Sequence, residues 1–170
     1  MLRLVKHPDP ILEKSLPDFD FSNPTIPPQI LEAEMIALMI EENGRGISAN
    51  QVGVQARVLV IAPSNTEGYH SPFAMFNPSV VAISETTDLD YEGCLSFPEL
   101  FFKVNRPNAV VAEYFDKYNN KCIIELAGID ARCFLHELDH LNGICFIDRI
   151  SKLKLDLALK KQRKRNGRTK

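Results

Sequence analysis

Three features of the 170-residue sequence predict an α+β fold. An apolar period typical of a helix lies near the start, short β-branched runs alternate with turn residues through the middle, and a second helical period follows the last of those runs. Strands on short connections, with helices at the two ends of the order, argue for small mixed or antiparallel sheets packed around a central helix.

The first helix is announced by Pro24, Pro27 and Pro28, after which Leu31, Met35, Leu38 and Met39 recur at helical spacing. It is expected to run from about Pro28 to Glu42 and to stop at Asn43-Gly44. A glycine-rich turn, GRGISANQVG, leads into Arg57 to Ala62, whose β-branched apolar content reads as a buried strand. FAMFNPSVVAIS, AVVAEYFD and KCIIELAG read as further strands, the last two joined by the turn-like Lys117-Tyr118-Asn119-Asn120. Between them, Tyr91 to Ser96 reads as a short turn flanked by strand-like runs. From Ile129 to about Asn142 the period is helical again, with Phe134, Leu135, Leu138 and Leu141 on one face and Gly143 as a stop.

A hydrophobic content of 45% and a charged content of 25% suit one compact domain and exclude a disordered chain. The net charge of −2 conceals an asymmetry: Ser151 to Lys170 holds nine Lys or Arg against Asp156 alone, net +8, which leaves −10 for residues 1–150. We therefore expect a catalytic domain over 1–150 and a basic, partly helical tail over 151–170. In that tail Leu153 and Leu157 oppose Leu155 and Leu159, so its first turns should lie between body and solvent, with Lys160 onward a flexible end. No apolar run is long enough for a bilayer, and the first residues lack a signal-peptide or transit-peptide pattern. Four cysteines in no secreted spacing then read as thiols, and the cytoplasm is the expected compartment. Neither a membrane nor a specific DNA partner is expected.

The strongest local signal is His136-Glu137-Leu138-Asp139-His140 on the second helix. Spacing of i, i+4 puts both imidazoles on one face, where they can share a metal ion while Glu137 reaches its water. The bland alternative is a surface helix with two solvated histidines. A catalytic ion needs a third protein ligand. The extended motif ending in a third histidine is excluded, because that position is Phe146, and no glutamate follows Glu137. Upstream, His7 and His70 are isolated and read as loop residues, and Cys94 remains, in a turn where Gly93 allows close backbone approach. One thiolate and two imidazoles suit a divalent transition ion such as Fe²⁺, Zn²⁺ or Ni²⁺, and softness does not choose among them.

Gly44-Arg45-Gly46-Ile47-Ser48-Ala49-Asn50-Gln51, Glu92-Gly93-Cys94-Leu95-Ser96 and His136 to His140 together resemble, in order and separation, the three signature motifs of the peptide deformylases. The resemblance covers residues 1 to about 150. It departs at Ser48, where alanine is usual, at Asn50, where Pro or Thr is common, at Leu135, often Gln, and at Arg45, usually apolar. It implies one divalent ion, Fe²⁺ in the cell with Zn²⁺ or Ni²⁺ as alternatives, held by Cys94, His136 and His140. It further implies Glu137 as general base, and Gln51 with the Leu95 backbone N–H at the oxyanion. Gly44, Arg45, Gly46 and Gly93 are expected against an N-formylmethionyl peptide, whose extended backbone would pair at Gly46. The basic tail is expected to meet the ribosome.

Overall fold

The structure is a computed structural model, and it describes residues 2–64 and 71–166. Helix α1, Pro28–Glu41, starts on prolines whose missing N–H groups no helical carbonyl needs, and ends before Asn43 at a φ of 57°. Leu31, Met35 and Met39 are its buried stripe. The glycine-rich segment is more ordered than a turn: it holds a short strand, β1 (Gly46–Ser48), and one turn of 3-10 helix, Ala49–Val52. β2 (Val58–Ile61) and β3 (Phe73–Ile83) follow, then β4 (Thr87–Cys94), β5 (Phe97–Pro107), β6 (Ala109–Phe115) and β7 (Lys121–Ala127). Helix α2 spans Gly128–Leu141 and α3 spans Lys152–Asn166.

Five strands form one antiparallel sheet in the order β1-β2-β3-β6-β7, and β4 and β5 form a separate hairpin. Cys94 is the last residue of β4, not part of a free turn. Opposite it the register slips, so that Gly93 faces Phe101 while Cys94 faces Phe97, and Glu99 within the extra residues takes a φ of 64°. The main core is the inner face of the sheet with α1 and α2; a second cluster beneath the hairpin gathers Leu12, Phe97, Leu100, Val104, Cys145 and Phe146. α2 lies between the two.

The tail differs from expectation in one respect. Lys160 to Asn166 is helical, the last turns of α3. Ala158 and Leu159 pack on the second cluster, Gln162 Nε2 donates to the Pro98 carbonyl at 3.0 Å, and Arg165 pairs with Glu99 at 2.6 Å. Leu153 and Leu157 are exposed, so the leucines do divide into an inner and an outer pair. His70 lies outside the described residues. No helix among them is long and apolar enough to cross a membrane.

Candidate metal centre

The buried face of α2 carries polar residues that an ordinary amphipathic helix would turn to solvent: Asp130, Arg132, His136, Glu137, Asp139 and His140 are all buried. One turn apart, the His136 and His140 rings lie with centroids 5.1 Å from each other. β4 delivers Cys94 to the same point, its Sγ 3.2 Å from His140 Nε2. The ligand-capable atoms of Cys94, His136 and His140 lie within 4.8 Å of one another, a group able to hold a metal ion.

Each imidazole can offer Nε2. His136 Nδ1 sits 3.0 Å from Glu92 Oε2, which fixes the ring and leaves Nε2 inward. Burial opposes a charge on His136, but hydrogen bonds to Cys94 and Glu92 and the Glu137 charge raise it to about 10. The pocket therefore favours a cation there. His140 is pushed the other way, by burial and then by the His136 and Arg106 charges, and keeps a neutral lone pair. The donor set of one thiolate and two imidazoles fits a divalent transition ion, and the Glu137 Oε2 buried beside it has no hydrogen-bond partner among the described residues.

Glu92 is the centre of the support. Its carboxylate accepts from Arg106 Nε at 2.8 Å, Arg106 Nη2 at 2.9 Å and Arg132 Nη1 at 2.8 Å, besides the His136 contact. Burial pushes against ionisation, yet the hydrogen bonds and charges of Arg106 and His136 hold Glu92 down at about 2. Arg106 and Arg149 also clasp Asp139, the fourth residue of the HELDH segment. Glu137 is different: burial chiefly, with the Glu92 charge adding and His136 opposing, raises it to about 7, suited to taking and giving a proton near neutrality.

A cleft of about 510 Å³ opens onto this centre, and Gly44, Arg45, Gly46, Gly93, Cys94, Leu95, His136 and Glu137 are among its lining residues. Gln51 and His140 are buried behind it. Gln51 Nε2 donates to Cys94 Sγ at 3.3 Å and Ser96 Oγ at 3.1 Å. Glycines in the cleft wall stand close to side chains: a Cβ on Gly46 would lie 2.7 Å from Glu137 Oε1, and one on Gly93 would lie 2.5 Å from the exposed Phe101 ring, which would have to turn away. Arg45 is less free for a substrate than its exposed position in the sequence suggests, since its guanidinium donates to Ser64 Oγ at 2.9 Å and Asp130 Oδ1 at 3.1 Å. Leu135 leaves its side chain in the core, while its carbonyl accepts from Arg106 at 3.4 Å.

Glu92, Arg106, Arg132, Asp139 and Arg149 were not found by sequence reasoning. The available signal was the run of charged residues at inward positions of α2, where each needs a buried partner.

The sequence matches the model of the polypeptide deformylase family over residues 1–156. It is 37% identical over 162 residues to peptide deformylase of Bartonella quintana, covering 95% of this chain and 91% of that protein. A relative of the same name from Rhizobium meliloti is 37% identical over 158 residues, 93% and 90% of the two chains. Among solved structures, that of peptide deformylase from Ehrlichia chaffeensis in complex with actinonin superposes with a TM-score of 0.86, at 37% identity and 97% coverage of both chains. The Thermotoga maritima peptide deformylase gives 0.79 at 36% identity, covering 89% of this chain and 98% of that one.

Proposed function

The chain belongs to the polypeptide deformylase family, and from that premise we propose how its own residues carry the reaction. It is a metal-dependent hydrolase that removes the N-terminal formyl group from polypeptides. In our reading Cys94, His136 and His140 hold one divalent ion, Fe²⁺ in the cell, and their grouping within 4.8 Å is the observation that carries it. Such an ion supplies Lewis acidity, activating water at neutral pH and polarising the formyl carbonyl. Glu137 accepts the proton of the attacking water and passes it to the leaving amine, a double duty suited to a group near 7. Gln51 Nε2, by exchanging one of its partners Cys94 Sγ and Ser96 Oγ for the substrate, and the Leu95 N–H would donate to the oxyanion of the tetrahedral intermediate. The formyl carbon leaves as formate and the peptide as a free amine.

The substrate is an N-formylmethionyl peptide lying extended in the cleft. β1 pairs with β2 on one side, and on its other edge Gly46 faces the cleft, an arrangement suited to adding a peptide as a further strand. Gly44, Arg45 and Gly93 line the same passage. Residues 1–150 form the catalytic domain in this reading, and the basic tail docks on ribosomal RNA through phosphate neutralisation. Four cysteines without disulfide partners suit the reducing cytoplasm.

The test is formate release from a formyl-Met peptide by anaerobically prepared protein, with metal analysis of the same sample. Cys94→Ser should lose most of its bound metal, while Cys122→Ser, Cys133→Ser and Cys145→Ser keep it. Full metal retention by Cys94→Ser would place the third ligand elsewhere.

A further inference from the structure

Ser48, Asn50 and Gln51 form a fully buried knot of side chains at the start of the Ala49–Val52 turn. Gln51 Oε1 accepts from Ser48 N and from Ser48 Oγ, each at 2.9 Å. The Ser48 N–H can only donate, so it fixes which end of the Gln51 amide faces it. Nε2 is thereby turned to Cys94 Sγ and Ser96. Ser48 Oγ also lies 2.8 Å from Asn50 Oδ1. One hydroxyl proton faces two amide oxygens and bridges them, with the Glu137 carboxyl as a further neighbour of the same hydroxyl. Asn50 Nδ2 completes the knot by donating to the His140 carbonyl at 2.8 Å and, more weakly, to that of Leu12 at 3.4 Å.

We propose that Ser48 and Asn50 are positioning residues for deformylation: together they lock the Gln51 amide and tie it to the helix that carries His136 and His140. The proposal rests on the reading of Gln51 as an oxyanion donor. An oxyanion donor is effective only when its direction is set before the charge develops. The Gln51 side chain has three torsions, and without restraint its amide would sample many directions; here four hydrogen bonds restrain both ends. The Asn50 link makes the restraint relative to the metal helix, so the donor and the ligand-bearing face keep one spacing. An alanine at 48 would retain the N–H clamp but remove the bridge, leaving Asn50 Oδ1 buried without that donor.

The experiment is a double-mutant cycle on the full-length, metal-loaded enzyme with Ser48→Ala, Gln51→Ala and the pair, measuring kcat, KM, bound metal and melting temperature. Ser48→Ala should lower kcat on the order of threefold to tenfold with KM and metal content unchanged, the range expected for one hydrogen bond. Gln51→Ala should lower kcat further, and adding Ser48→Ala to it should change kcat no more, because the group being oriented is gone. An equal loss of kcat in both backgrounds would mean that Ser48 acts independently of Gln51, through the fold or through the Glu137 carboxyl it also faces, and would overturn the proposal. So would a normal kcat in Ser48→Ala when Gln51→Ala is impaired. An unimpaired Gln51→Ala would instead sink the oxyanion reading itself. Should Ser48→Ala not fold, Ser48→Cys, of similar volume and a weaker donor, runs the same cycle with the same outcomes.

Discussion

At Glu137 the chemistry depends on one carboxyl held where water is scarce. Burial is the main reason its pKa stands at about 7, and a cation on the neighbouring ligands favours the carboxylate, lowering it from there. The base works only when deprotonated. kcat/KM should therefore be flat above about 7 and fall as pH drops through the Glu137 pKa, and a limb lying clearly above 7 would exclude Glu137 as the group. Glu137→Gln keeps the three ligand-capable residues and the shape but removes the proton carrier. It should bind metal stoichiometrically and lose about 10²- to 10⁴-fold in kcat, read by formate release beside metal analysis. Gly46 belongs to the same argument, because any side chain there would collide with the Glu137 carboxyl and the Cys133 thiol.

At the scale of elements, the hairpin and α2 meet through buried charge rather than through apolar packing alone. Glu92 on β4 joins Arg106 on β5 to Arg132 and His136 on α2. Removing that carboxylate would leave two buried guanidinium groups short of a partner, so Glu92→Gln should cost about 3–5 kcal/mol in urea unfolding of metal-free protein at pH 7. The folded pKa of about 2 lies below the ordinary 4.5, so this stability is fully present above 4.5 and is lost as pH falls toward 2. The gap between wild type and variant should close over that window, and a gap constant from pH 6 to pH 3 would contradict the assignment. This junction also explains what the sequence could and could not reveal. Local signals were enough for α1, β2, β6, β7 and α2, because period, turn residues and stops all agree there. The ligand group was legible because its motif spacing is local to α2 and to the end of β4. The network behind it was not: Glu92, Arg106 and Arg132 are 14 to 40 residues apart, and only tertiary pairing shows that each charge has a partner.

Over the whole molecule, an acidic body of net −10 carries a basic segment of net +8, and the structure shows where the two are joined. Reading the leucines separated two faces of α3 without telling which is inner, and the persistence of the helix past Lys160 comes from contacts no local pattern encodes. Gln162 and Arg165 hold Pro98 and Glu99, which line the same cleft as Glu137. Truncation after Leu159 tests both roles of the segment at once, since it keeps Ala158 and Leu159 on the core and removes seven of the nine basic residues. The lost clasps are exposed, and an exposed ion pair contributes about 0–1 kcal/mol, so KM for a short formyl peptide should rise no more than about fivefold while kcat stays unchanged. Ribosome binding should respond much more strongly. Each phosphate contact removed lowers the dependence of log K on log salt by up to about 0.9, so the truncated protein should bind more weakly and with a shallower salt slope. Affinity and slope equal to those of the full chain would rule out ribosome docking through the tail, and a large fall in kcat would show that α3 supports the chemistry more directly than its two polar contacts to the cleft wall allow.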